Sequence, residues 1–322
     1  MEWYYVLLII IGGLFLIYLI IFFTLGLYVY NKVMVCRNSF KFENISENSH
    51  WYCFKEELLR RQKEYLEYEK NATKHEIINK RHLKQVSYLI RQEKSEKPTL
   101  VLFFHGYKAS HNIDICYCNM WMLKKGFDCM LPDQESLGES EGKRMGFGIL
   151  DSNNALEWID YVNELYNHNV NIILCGVSMG ASTVLLNADK KMENVKAIIA
   201  DCGFTSMYDE IKYLLKGSRI LTSMVRLFLK IFWKQDIKQS AINALHNSLY
   251  PVLFIHGKLD RFVPTVFSKQ NYDACTSYKD ILLVDMALHA ESGLVDPDTY
   301  SDKIDEFLTH VDLYYLSNHS II

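Results

Sequence analysis

Ser178, Asp260 and His289 are the residue types that together can turn a hydroxyl into a nucleophile, and each falls just past a predicted strand. A serine hydroxyl attacks a carbonyl poorly until an imidazole takes its proton. The imidazole in turn needs a carboxylate to hold its tautomer and stabilise its charged form. Ser178 lies in Gly176-Val-Ser-Met-Gly180, at the end of the apolar run NIILCGV. Asp260 sits in a turn after the run YPVLFIHG, and His289 in the loop MALHAES after KDILLVD. Gly176 and Gly180 mark a place where a strand and the following helix approach too closely for larger side chains, so the serine is pushed into a strained turn with its hydroxyl clear of the sheet. The five-residue pattern by itself recurs by chance. The order Ser, Asp, His over three strand ends carries more weight.

Further segments extend the pattern: TLVLFFHGYKAS, LKKGFDCMLPD with the loop through GESEG, MGFGILDSNNALEWIDYV, ADCGFTS, HGKLDRFVP and LHAES. With them, residues 97 to about 310 resemble an α/β-hydrolase-fold serine hydrolase, of the branch that holds lid-bearing esterases, monoacylglycerol-lipase-like enzymes and serine aminopeptidase-like proteins. The resemblance implies an α/β fold with a mostly parallel eight-stranded sheet flanked by helices, and a helical lid over about residues 204–245. It also implies an oxyanion hole made by the backbone N–H groups of Met179 and Tyr107, such donors contributing about 3–4 kcal/mol to the transition state. One departure stands out. Similar proteins usually read Asp-x-Arg-x-His-Gly-x-Ser after the fourth strand, where this chain has Asp133-Gln-Glu135-Ser-Leu137-Gly138-Glu-Ser140. Loop packing and pocket lining are expected to differ there more than the chemistry.

Other elements must position these residues. HEIIN and QVSYLI, within residues 74–91, read as two opening strands. Between the strand KAIIADCG and Leu245 lie two helical patterns, the second, ILTSMVRLFLKIFW, apolar over most of its face. Met224, Leu227, Phe228, Ile231 and Trp233 are expected mainly to bury against the core, with one or two lining the pocket. Asp296 to Leu316 reads as a closing helix with Ile304, Phe307, Leu308 and Val311 on one face.

At the other end, Trp3 to Tyr30 holds no charged residue. At about 1.5 Å per residue such a stretch crosses a bilayer core of about 30 Å. A signal peptide is the competing reading, but the positive leading segment is missing and the run is too long. Three parts are therefore expected: a transmembrane anchor at 1–34, a juxtamembrane amphipathic helix and linker at 35–72, and the α/β-hydrolase domain at 73–322. The amphipathic stretch Trp51 to Lys70 mixes both charge signs, which suits packing on the domain better than lipid contact. Lys32, Arg37 and Lys41 follow the apolar run and no Lys or Arg precedes it, which places the catalytic domain on the cytoplasmic side. Eight cysteines agree with a reducing compartment; the sequons at Asn44, Asn71 and Asn318 would matter only in a lumen.

With a net charge of −3 and no basic cluster interleaved with aromatics, nucleic acid is not an expected partner. The expected partners are the lipid bilayer, through residues 3–30, and a small-molecule or lipid acyl substrate. Cys116, Cys118 and His111 lack the fourth ligand and spacing of a zinc site, and no metal or cofactor is implied. His105, His111 and His256 read as structural. The function expected is cleavage of a carboxylic ester or related acyl bond through an acyl-serine. Two alternatives stand beside it. One is a serine peptidase or aminopeptidase, which would need a carboxylate to hold a peptide amine, with Glu135, Glu139, Glu141, Asp209 and Glu210 available. The other is a non-catalytic membrane scaffold.

Overall fold

Short apolar, β-branched runs separated by turn residues form eight strands: β1 Thr73–Ile78, β2 Lys84–Ile90, β3 Thr99–Phe104, β4 Asp128–Pro132, β5 Asn171–Val177, β6 Val195–Asp201, β7 Val252–Gly257 and β8 Lys279–Val284. The computed structural model describes residues 2–35, 40–92 and 96–318. The helices are α1 Trp3–Tyr28, α2 Lys55–Glu69, α3 Asp114–Tyr117, α4 Trp121–Lys124, α5 Ile149–Leu165, α6 Met179–Leu185, α7 Met207–Leu214, α8 Arg219–Trp233, α9 Ala241–Leu245, α10 Thr265–Ala274, α11 Ser292–Val295 and α12 Pro297–Asn318. The sheet order is β1-β2-β4-β3-β5-β6-β7-β8. β2 runs antiparallel to both β1 and β4, and the other pairs are parallel. This is the α/β-hydrolase fold.

Burial explains the strand sequences. In β5 every residue but Asn171 is buried, as a central parallel strand covered on both faces requires. One apolar layer joins α2, α4 and α12 to the sheet through Leu58, Tyr65, Trp121, Ile304 and Phe307. The other joins α5 and α6 through Trp158, Ile159, Val184 and Leu185. α2 packs on the domain as its mixed charge suggested. Its Arg61 is buried and donates to the carbonyls of Cys116 and Gly293, both at 3.0 Å, and to Glu57 at 2.7 Å. The guanidinium thereby latches the helix beside α3 and α11.

A third apolar cluster departs from expectation. Between β6 and β7 the chain leaves strand-helix alternation and runs through α7, α8 and α9. Met224 and Phe228 of α8 are buried as expected, but Leu227 and Ile231 are 43% and 55% exposed. The reason is that the apolar face of α8 is broad, and only part of it has a seat. That seat includes the end of α1 and the turn that follows it: the Phe228 ring lies 5.5 Å from Phe22 and against Gly26, and Trp233 stacks 4.2 Å from Tyr30, just past α1. α1 is otherwise unburied except at Phe22 and Gly26, and it is long and apolar enough to cross a membrane. Past α1, the Met34 carbonyl accepts the Met145 N–H at 2.8 Å, which fastens the chain to the domain. Of the residues that suggested orientation, Lys32 and Lys41 are described and Arg37 lies outside the described residues, as does the end of the Asn318 sequon.

The loop after β4, where the sequence departs from similar proteins, is self-consistent. Glu135 is buried with its carboxylate on Arg81 at 2.6 Å, and Leu137 joins the third apolar cluster. Ser140 bridges the Asp133 carbonyl at 2.6 Å and the Val86 N–H at 2.8 Å.

Candidate active site

Four of the parallel strands deliver a loop to the same sheet edge. Residues 105–107 follow β3, Ser178 follows β5, Asp260 follows β7 and His289 follows β8, and these strands neighbour one another in the order β3-β5-β6-β7-β8. Ser178 takes φ 54° and ψ −112°, a left-handed conformation that side chains seldom adopt. Close packing holds it there. A Cβ at Gly176 would overlap the Gly180 carbonyl, and one at Gly180 would overlap the backbone of Phe104 and His105. The Ser178 N–H donates to the Asp201 carbonyl at 2.8 Å. A backbone strained in this way costs about 1–3 kcal/mol and persists only where its surroundings dictate it.

The three expected residues meet. His289 Nε2 lies 3.0 Å from Ser178 Oγ, and His289 Nδ1 lies 2.7 Å from Asp260 Oδ2. Asp260 Oδ1 accepts the N–H groups of Phe262 at 2.8 Å and Val263 at 2.9 Å. Burial would raise the Asp260 pKa, but hydrogen bonds from His256 and His289 outweigh it and hold the carboxyl well below the usual range. An ionised carboxylate only accepts, so Nδ1 of His289 carries its hydrogen and Nε2 is left to accept from the serine. Both ring nitrogens are thus engaged. Cys202 also lies near Asp260 and His289, but burial pushes its thiol far above its ordinary pKa, which is unfavourable for the thiolate a metal would need.

His256 is more than the bystander its sequence position suggested. Its Nε2 lies 3.0 Å from Asp260 Oδ2 and 2.9 Å from the Val263 carbonyl, while Nδ1 meets Ser268 Oγ at 2.7 Å. A histidine four residues before the acidic one, at the end of a buried strand, was the available signal. His105 and His111, expected to be structural, both make buried hydrogen bonds. His105 is fully buried, its pKa lowered by burial, and it accepts the Gln134 N–H at 2.9 Å. His111 sits between Asp133 at 3.0 Å and Glu69 at 2.9 Å, which raise its pKa to about 9 against the pull of burial. That occupies both nitrogens and leaves none for a metal shared with Cys116 or Cys118.

Met179 opens α6, so its N–H belongs to the first turn of a helix, where amides have no acceptor within the helix. Tyr107 follows Gly106, whose N–H donates to buried Asp114. Burial pushes the Asp114 carboxyl up to about 7. Asp114 was not singled out from sequence, because nothing local links it to a glycine eight residues earlier.

Ser178 and His289 line a cavity of about 910 Å³ whose other walls include Tyr107, Tyr117, Phe262 and Trp51. No residue of α8 lines it, contrary to the expectation for one or two, because the buried stripe of that helix packs with α1 and α7 in the third apolar cluster instead. The wall the lid was expected to supply comes partly from residues 40, 50 and 51. The arrangement can deliver a serine oxygen to an acyl carbon in an apolar cavity.

Comparison with known proteins agrees on the fold. Residues 99–228 match the family model for the alpha/beta hydrolase fold. The chain is similar to the uncharacterized protein YqkD of Bacillus subtilis, at 26% identity over 67% of this chain and 73% of that protein. It is also similar to the uncharacterized protein YfhR of Escherichia coli strain K12, at 25% identity over 60% of each chain. Among solved structures, the esterase Pf2001 of Pyrococcus furiosus superposes with a TM-score of 0.59 at 21% identity, covering 77% of this chain and 94% of that one.

Proposed function

From the premise that this chain has the alpha/beta hydrolase fold, we propose that it is a membrane-anchored serine hydrolase that cleaves a carboxylic ester or related acyl bond. The observation that carries this reading is the unbroken hydrogen-bonded line Ser178 Oγ, His289, Asp260, at 3.0 and 2.7 Å, opening on an apolar cavity. In the first half-reaction Ser178 Oγ bonds to the acyl carbon as its proton passes to His289 Nε2, and the carbonyl π electrons move onto oxygen. The Met179 and Tyr107 N–H groups hold that oxyanion. The tetrahedral centre collapses, the leaving alcohol departs with the proton from His289, and an acyl-serine remains. Water then repeats the sequence, giving its proton to the same nitrogen and releasing the acid. Asp260 stays ionised throughout and stabilises the imidazolium.

An apolar cavity suits an acyl chain, and anchoring through α1 places it near membrane lipids such as monoacylglycerols, lysolipids or thioacylated proteins. That Pf2001 is an esterase agrees. Lys32 and Lys41 support a cytoplasmic catalytic domain. The aminopeptidase alternative has less support. Glu135 pairs with Arg81, Glu139 with Lys74, Glu141 accepts the Lys84 N–H and Asp209 meets Ser206. With Glu210, all five lie outside the cavity lining, where Asp114 is the one carboxylate among the described residues. A scaffold would not need the aligned triad. Purified protein given acyl esters and matched aminoacyl amides tests the choice: faster ester turnover is expected, and amide turnover with no ester turnover would replace the esterase reading with the peptidase one.

A further inference from the structure

Part of the cavity over Ser178 is built by residues that belong neither to the sheet nor to its connections. Phe40, His50 and Trp51 precede α2, in the stretch that joins the apolar helix to the domain, and all three line the cavity. Their contacts reach both sides of the catalytic apparatus. On the oxyanion side, the Phe40 N–H donates to the Lys108 carbonyl at 2.9 Å, one residue past Tyr107. On the histidine side, Trp51 Nε1–H donates to the carbonyl of His289 itself at 3.4 Å. His50 Nδ1 lies 2.6 Å from Glu291 Oε1, and the other oxygen of that buried carboxylate accepts the Leu288 N–H at 2.9 Å. Since the carboxylate accepts, His50 donates.

The bridge is seated on aromatic rings. Trp51 packs 5.4 Å from Phe40 and 5.5 Å from Tyr117, centroid to centroid. The loop it grips has little regular structure of its own, with Met286 and Ala290 both at φ 59°. A nitrogen that must stay at hydrogen-bond distance from a serine oxygen needs its loop pinned from outside, and residues 288, 289 and 291 are the ones pinned.

We propose that residues 40–54 are a working part of the active site. Phe40 and Trp51 form a wall against which the acyl portion of the substrate lies, and His50, acting through Glu291, is a positioning residue for His289. This rests on the reading of Ser178 as the nucleophile. It means that the membrane-proximal stretch completes the site, so the anchor is joined to the chemistry through two hydrogen-bonded loops.

The test uses the full chain in detergent, short- and long-chain p-nitrophenyl esters, and the rate of fluorophosphonate labelling of Ser178. His50→Ala should lower kcat about tenfold with KM little changed, and slow labelling in step, because a misplaced base costs rate and not binding. His50→Asn keeps an amide N–H near the Nδ1 position and should recover most of the loss. Trp51→Ala should change the long-to-short ratio of kcat/KM by about fivefold. Rates within about twofold of wild type for both His50→Ala and Glu291→Gln would overturn the positioning role. So would a loss that follows the melting temperature and is not recovered by Asn. An unchanged chain-length ratio in Trp51→Ala would overturn the wall. Wild-type protein that neither labels nor turns over would remove the nucleophile reading itself, whereas normal wild-type turnover with unaffected variants would remove this proposal alone.

Discussion

The hydroxyl of Ser178 is ordinary chemistry placed in an unusual setting: a left-handed backbone, glycines on both sides where nothing larger fits, and an imidazole whose accepting nitrogen is chosen by a carboxylate. Asp260 is the residue that makes that choice. With hydrogen bonds from two histidines and two backbone amides it remains an acceptor far into acid. Asp260→Asn would present an amide hydrogen toward His289 and favour the tautomer with hydrogen on Nε2, which cannot take the serine proton. Its kcat on an ester is expected to fall by about four orders of magnitude with the fold intact, measured by steady-state kinetics beside circular dichroism. A loss under tenfold would mean that Asp260 does not govern the tautomer. That Ser178, Asp260 and His289 come together was legible in the sequence because each follows a short apolar strand and a turn, signals confined to a few residues. Glu291 and His50 were not. They are 241 positions apart, and neither belongs to a local pattern.

At the scale of elements, the opening hairpin, the amphipathic α2 and the closing α12 could be read from period and punctuation. What α8 packs against could not. Its apolar residues cover so much of its circumference that periodicity does not say which face is buried, and the answer came from α1, some two hundred residues away. Phe228 settles into the space over Gly26, leaving Leu227 and Ile231 at the surface. α1 itself is apolar all round, the pattern of a helix solvated by lipid. The full chain should therefore stay with the membrane pellet after alkaline carbonate washing, and the chain lacking residues 1–34 should be released. Release of the full chain would contradict the anchor.

The molecule as a whole carries buried acids, and these make its stability depend on pH in a defined direction. Glu210, buried on α7 with neither carboxylate oxygen hydrogen-bonded, has its pKa raised by burial and by nearby Asp260 from 4.5 to about 8. Between those values the folded protein holds a proton that the unfolded chain has lost. The stabilisation is therefore full below 4.5 and disappears as the pH rises through about 8. Glu210→Gln removes one of these titrations, that of Asp114 remaining, and should make the fall in melting temperature between pH 5 and pH 8, about the range over which the shift acts, less steep; an equally steep fall in the variant would place the dependence elsewhere.

Whether Ser178 is an activated nucleophile is decided by intact-mass spectrometry after exposure to a fluorophosphonate. One adduct is expected on wild-type protein, mapped to Ser178, and none on Ser178→Ala. An unmodified wild-type chain, or equal modification of the variant, would contradict it.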